Sequence, residues 1–175
     1  PMLYLNQVGG QDELVFDGAS FAIEPGNKLV LQGKSFETDF IVSDWTRTED
    51  GWRCSTGEVK DLTSVEEAPW RPCGLGLRDY VGKNGFRHVG IALSGGIDSA
   101  LVALIACDAL GAEAVSCVVM PSPPSSSATQ GDAREIAANL GAETIEIPIE
   151  AMMGGYEEAL RGPFGTAEAQ GELEG

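Results

Sequence analysis

The segment Ile91-Ala92-Leu93-Ser94-Gly95-Gly96-Ile97-Asp98-Ser99-Ala100 constrains the fold of this chain more than any other. It ends one short apolar run, His88 to Leu93, and opens a longer one, from about Asp98 to Leu110. The first has the length and branched content of a buried strand, and the second has the length of a helix. Two more strand-like runs follow, Val115 to Met120 and Thr144 to Ile149. Between them lies a helical pattern, Gly131 to Leu140, with Ala133, Ile136, Ala137 and Leu140 on one face. Strands alternating with helices at this spacing predict an α/β fold with a parallel sheet. The helix from Asp98 is apolar almost all round, so burial on every side is expected of it.

The turn between that strand and helix lies where parallel sheets bind ligands, at the carboxyl ends of their strands. Gly95 and Gly96 permit positive φ and carry no side chains, so backbone N–H groups can approach an anion. Ser94 and Ser99 add hydroxyl donors, and the helix start adds free amides and a positive dipole end. The predicted phosphate cradle is therefore Leu93, Ser94, Gly95, Gly96, Ile97, Asp98, Ser99 and Ala100. Asp98 would repel phosphate directly, but it suits Mg²⁺, which prefers one or two carboxylates plus phosphate oxygens. Two other phosphate loops are excluded. Gly33-Lys34-Ser35 has Lys28 where the Walker pattern requires glycine, and Gly74-Leu75-Gly76 has Asp79 at the third glycine of the dinucleotide pattern.

Upstream of this unit the chain reads as β-structure. Leu3-Tyr4-Leu5, Leu14-Val15-Phe16, Ser20 to Ile23, Lys28 to Leu31 and Asp39 to Val42 are strand-like. They are separated by turn residues at Gly9-Gly10, Asp17-Gly18, Pro25-Gly26-Asn27 and Gly33-Lys34. Five short strands without a helix leave edges that need partners outside the segment. Thr46 to Trp70 is polar and aperiodic and reads as an acidic linker, with room for a short hairpin near Trp52. Leu75, Leu77, Tyr80 and Val81 then predict a helix that stops in a left-handed cap at Asn84-Gly85.

Composition narrows the function. The chain carries 27 acidic and 11 basic residues, a net charge of −16, which disfavours nucleic acid or an anionic membrane as partner. No apolar run reaches the roughly 18 residues of a membrane span, and no secretory signal pattern is visible. Cys54, Cys73, Cys107 and Cys117 form no Cys-x-x-Cys pair and are accompanied by a single histidine, His88, so a zinc site is not indicated. Cys107 and Cys117 read as small core residues, and the chain reads as reduced and cytoplasmic. His88 reads as structural, and Trp45, Trp52 and Trp70 as staples of the linker. Ser125, Ser126, Ser127 and Thr129 could donate to phosphate or ribose, or serve only as a connector.

Ser-Gly-Gly-Ile-Asp-Ser after a strand resembles the pyrophosphate loop of the N-type ATP pyrophosphatases, a Rossmann-like, adenine nucleotide alpha hydrolase-like family. The flanks resemble the glutamine-dependent NAD synthetases within it. Asn6 to Gly18 is similar to the late β-segment of their nitrilase-type αββα glutaminase domain. Gly76 to Val81 with Lys83 to Phe86 is similar to their linker-to-synthetase helix, and Met120 to Ser127 with Asp132-Ala133 to the loop after their second strand. The resemblance implies three parts: residues 1–45 as the carboxyl-terminal part of a glutaminase domain, 46–70 as linker, and 71–175 as the amino-terminal part of an ATP-pyrophosphatase domain. It implies a ligase that uses ATP and Mg²⁺ to amidate nicotinic acid adenine dinucleotide to NAD, with ammonia or glutamine as nitrogen source. It also implies a homo-oligomer for the full-length enzyme. The chain resembles a fragment of such an enzyme. No cysteine falls where the glutaminase nucleophile would stand, Pro124 replaces an expected aromatic residue, and nothing after residue 160 matches the later synthetase segments. Two other readings remain open here: another ATP-pyrophosphatase amidoligase, and a truncated, non-catalytic nucleotide-binding chain.

Overall fold

In the computed structural model, residues 1–122 and 127–164 are described. Pro123, Pro124, Ser125, Ser126 and residues 165–175 lie outside them, as do the side chains of Ser127, Pro163 and Phe164. The chain divides into two compact units, residues 1–87 with 108–110, and residues 88–107 with 111–175.

The first unit is mainly antiparallel β. Strand β1 (Met2–Tyr4) pairs with β4 (Phe21–Glu24), which pairs with β5 (Lys28–Gln32). Two hairpins accompany this sheet, β2 (Val8–Gln11) with β3 (Leu14–Asp17), and β6 (Trp45–Thr48) with β7 (Gly51–Cys54). The second is the hairpin anticipated near Trp52. Gly9-Gly10 is not the expected turn but the middle of β2, paired with Phe16 and Val15, while the turn falls at Asp12 with φ 51°. Asp39 to Val42 does not form the expected strand. Phe40 and Val42 are 88% and 71% exposed, and the Asp39 carboxylate instead accepts the backbone N–H of Lys34 and the ammonium of Lys60. Polar side chains that bind local backbone compete with ladder formation in this way. Buried Glu24 holds the β6–β7 hairpin by accepting the Cys54 N–H at 2.6 Å, a bond that lowers its pKa below the ordinary carboxylate value.

Helix α1 (Trp70–Lys83) packs on β2 and β3. Its end is the predicted left-handed cap: Gly85 has φ 72°, its N–H reaches Gly82 O at 3.1 Å, and the Phe86 N–H reaches Val81 O at 3.0 Å. Those two bonds satisfy carbonyls that a helix end leaves open. Trp70 Nε1 donates to Asp108 Oδ2 at 2.8 Å and Arg78 Nε to Ala109 O at 3.1 Å, within the same unit.

The second unit is α/β and Rossmann-like. Strands β8 (Val89–Ala92), β9 (Val115–Val119) and β10 (Glu143–Glu146) form a parallel sheet with β9 in the centre. Helices α2 (Ile97–Leu110), α3 (Ser127–Leu140) and α4 (Glu150–Phe164) follow the three strands in turn, and α3 packs on β9 and β10. Central β9 is almost completely buried, with Val115 and Cys117 at 0% exposure, as its branched apolar run requires. Burial alone raises the Cys107 thiol pKa; Cys117 is raised by burial and by Cys107 beside it.

Helix α2 corrects the expectation of burial on every side. Ala103 and Ala106 are buried, whereas Leu101, Val102 and Leu104 are 48%, 53% and 43% exposed. The inner side is made of alanines, which admit close packing, while the larger residues face outward. An all-apolar helix reports what it could bury, not what is present to bury it.

Candidate functional site

The site is built by β8 and α2 on the second unit. Strand β8 ends at Ala92, and Leu93 continues its ladder by donating to Val118 O at 2.8 Å, so the chain leaves the sheet only at Ser94. Gly95 then turns with φ 84°. Gly96 is the N-cap of α2, in extended conformation with φ −81° and ψ 159°, and no side chain caps the helix. The first intrahelical bond runs from Ala100 N to Gly96 O at 3.1 Å. The amides of Ile97, Asp98 and Ser99 consequently have no acceptor within the helix, the arrangement that binds anions.

The two serines close this turn. Ser94 N–H donates to Ser99 Oγ at 3.2 Å, and the two hydroxyl oxygens lie 3.0 Å apart. Ser99 Oγ also donates to Gly96 O at 3.0 Å, and Gly96 N–H donates to Ser94 Oγ at 3.3 Å. The predicted residues Leu93 to Ala100 therefore form one continuous structure, from a buried Leu93 to the first turn of α2. Asp98 stands exposed in that first turn, open to a metal ion held jointly with phosphate oxygens. One exposed carboxylate beside unpaired amides fits Mg²⁺, which takes few protein ligands when phosphate supplies the rest.

A cleft of about 190 Å³ adjoins the turn, lined by Leu93, Ser94, Met120, Thr129, Gln130 and Ile149 among others. Thr129 thus comes to the site from α3, and its carbonyl oxygen lies 2.1 Å from where a Cβ on Gly95 would be. The sequence singles out the Thr129 hydroxyl, but the group brought against Gly95 is the Thr129 backbone carbonyl, for which the start of α3 is the one sequence signal. Ser125 and Ser126 lie outside the described residues. A larger cleft, about 460 Å³, lies on the first unit among Tyr4, Asn6, Phe21 and Leu31, and has no phosphate-binding loop.

His88 is placed at the opposite end of the sheet. Its Nε2 lies 2.6 Å from Ser116 Oγ, and Ser116 Oγ donates to Glu143 Oε2 at 2.6 Å. Since the single serine proton goes to Glu143, His88 Nε2 must be the donor. The serine sits between base and acid, so this is a tie across β8, β9 and β10 rather than a nucleophilic triad. No group of three or more metal-ligating side chains occurs among the described residues.

Comparison with known proteins agrees with this geometry. The family model described as NAD synthase matches residues 70–171. The glutamine-dependent NAD(+) synthetase of Rhodobacter capsulatus is 44% identical over 160 residues, covering 91% of this chain and 29% of that protein. The enzyme of the same name from Thermotoga maritima is 40% identical, covering 95% of this chain and 34% of that protein. Among solved structures, the glutamine-dependent NAD+ synthetase of Acinetobacter baumannii in complex with ADP superposes with a TM-score of 0.85 at 35% identity. It covers 96% of this chain and 32% of the other. The chain thus spans about a third of the length of the relatives it matches.

Proposed function

The chain belongs to the NAD synthase family, and from that premise we propose that it supplies the ATP-binding front of a glutamine-dependent NAD synthetase. The observation that carries this reading is the Ser94–Ser99 turn, set between a parallel strand and a helix whose first amides are unpaired. Leu93 to Ala100 would bind the phosphates of ATP. The carboxylate of nicotinic acid adenine dinucleotide attacks the α-phosphorus, the bond to the leaving pyrophosphate breaks, and an acyl adenylate forms. Ammonia, derived from glutamine, then attacks the acyl carbon, AMP departs, and a lost proton leaves the amide of NAD. A carboxylate is a weak nucleophile toward an anionic phosphate, so alignment and charge compensation must supply most of the rate. The α2 amides provide fixed positive potential at the departing pyrophosphate. Asp98 would hold Mg²⁺, whose chemistry when bound is to neutralise charge on the phosphate oxygens.

Residues 1–45 are assigned as the end of a nitrilase-type glutaminase domain, 46–70 as an acidic linker and 71–175 as the start of the synthetase domain. The full-length enzyme would be a cytoplasmic homo-oligomer without nucleic-acid or membrane partners; no described helix is long and apolar enough to cross a membrane. The phosphate turn taken by itself supports one second reading, a chain that binds nucleotide without completing the reaction. Exchange of labelled pyrophosphate into ATP separates the two. Exchange that requires nicotinic acid adenine dinucleotide is expected of the ligase. ATP binding without exchange favours the second reading, and exchange driven by a different carboxylate overturns the NAD assignment.

A further inference from the structure

We propose that His88 is an acyl-accepting site separate from the phosphate loop: its Nδ1 is a nucleophile for activated acyl groups, and Ser116 with Glu143 takes up the proton the ring must lose. His88 is the only histidine of the chain and stands exposed immediately before β8. Its Nε2 lies 2.6 Å from Ser116 Oγ, and the Ser116 hydroxyl donates to Glu143 Oε2 at 2.6 Å. Ser116 is 5% exposed, so the bonds run between two exposed side chains through a buried hydroxyl. With the serine proton directed at Glu143, the neutral ring carries its own proton on Nε2 and its lone pair on Nδ1. Among the described residues, Nδ1 has no hydrogen-bond partner. A nitrogen donor ordinarily stands about 2.9–3.0 Å from oxygen, so the 2.6 Å bond of His88 is short. Bonds in series polarise one another. The Glu143 charge therefore draws the Nε2 proton toward Ser116 and leaves the ring richer at Nδ1.

The serine is the relay here and not the nucleophile, since its oxygen is buried and its proton already committed. Nδ1 gives its lone pair to the acyl carbon, the bond from that carbon to the leaving group breaks, and the leaving group departs with the electron pair. The acylated ring is then cationic. It passes its Nε2 proton to Ser116 Oγ as Ser116 passes its own to Glu143, which releases it to water and leaves a neutral acylimidazole. A carboxylate behind the ring stabilises the imidazolium as in serine hydrolases, with the roles of the two ring nitrogens exchanged. Charge selects the electrophile. The second unit carries twelve Asp and Glu against two Arg, and no Lys. At the phosphate loop free amides offset that field, whereas at His88 the Glu143 carboxylate adds to it, so uncharged acyl donors are favoured over anionic phosphoryl donors.

The probe is diethyl pyrocarbonate, an uncharged acyl donor that loses ethyl carbonate on attack. The ultraviolet band of carbethoxyimidazole gives the rate, and long-range proton–nitrogen NMR of the labelled ring gives the nitrogen modified. With one histidine in the chain, no other ring contributes to either signal. The parent should carry the group on Nδ1. Ser116→Ala removes the relay and frees Nε2, so it should slow the reaction about tenfold and spread the group onto Nε2. Ser116→Thr keeps the hydroxyl and should react within about twofold of the parent. Glu143→Gln still accepts the Ser116 hydroxyl but takes no proton, and should slow the reaction about tenfold with the group still on Nδ1. Unchanged protection of the buried Cys117 and Val119 amides certifies the fold. Should Ser116→Ala fail to fold, Glu143→Gln, altered at an exposed position, decides the matter. An unreactive parent, attachment at Nε2 in the parent, or variants as fast as the parent each overturn the proposal. Slowing in Ser116→Ala without slowing in Glu143→Gln overturns it too, because the carboxylate then takes no proton and the bonds only hold the sheet.

Discussion

At the scale of single residues, the loop's two glycines are not equivalent. Gly95 has φ 84°, and a Cβ there would lie 2.1 Å from Thr129 O, a contact no rotamer change relieves because the obstacle is backbone. Gly96 is extended, and the nearest atom to a Cβ placed on it is Ser94 Oγ at 3.4 Å, ordinary contact. Gly95→Ala should therefore cost about 1–3 kcal/mol for the left-handed backbone alone, more for displacing α3, and abolish binding of ADP. Gly96→Ala should cost about 1 kcal/mol or less, the difference between glycine and alanine as an N-cap. Urea denaturation and ADP titration of the two variants check this. The doublet Gly95-Gly96 was legible in the sequence as a phosphate turn. That one glycine yields to a chain segment over thirty residues away was not, because a close approach in space leaves no mark on local spacing.

At the scale of elements, the β8–loop–α2–β9–α3 series was legible because each piece is long or sharply punctuated. The misses have common causes. Strand β2 carries Gly9-Gly10, which read as a turn; a Cβ on Gly10 would stand 3.0 Å from Gly76 Cα, so the glycines serve the approach of α1 rather than a reversal. Asp79 on α1 accepts the Gly10 N–H at 2.7 Å and lies 3.3 Å from Lys83 Nζ, and Lys83 also donates to Gly10 O. The Gly10 amide, with Lys83 after it, holds the Asp79 pKa below its ordinary value of 3.8. A carboxylate with a depressed folded pKa stabilises fully above its unfolded pKa and ceases to do so as pH falls through the folded value. The β2–α1 clasp should then be intact at neutral pH and fail only in acid, below the usual aspartate range. Asp79→Ala should cost about 1.5–3 kcal/mol near neutrality, as for a hydrogen bond to a charged group. The gap between variant and parent should close as the clasp protonates. Denaturant midpoints measured across an acid series give the comparison, and a gap that widens toward low pH would contradict it.

At the scale of the whole molecule, a chain that is 43% hydrophobic has the content to fill one core. It does not fill one. The fully buried positions are mostly small, alanines of α2 and α3 beside Val115 and Cys117, while Met2, Leu3 and Tyr4 of β1 and Leu101, Val102 and Leu104 of α2 stay open. Burial of this kind cannot be read from composition, since composition counts what a surface is made of and not what meets it. The distribution makes α2 a sharp test. Val102 is 53% exposed, so Val102→Ser should change stability by no more than about 0.5 kcal/mol, although it removes a large apolar group. Ala106 is 2% exposed, so Ala106→Leu should destabilise by about 1–3 kcal/mol, although it adds apolar surface to a helix already apolar. Equilibrium urea denaturation of both variants decides between two pictures of the helix. If the serine proves as costly as the leucine, α2 is enclosed on every side in solution. If only the leucine is costly, the alanine side alone is packed, and the phosphate loop at the start of α2 is held from that one side.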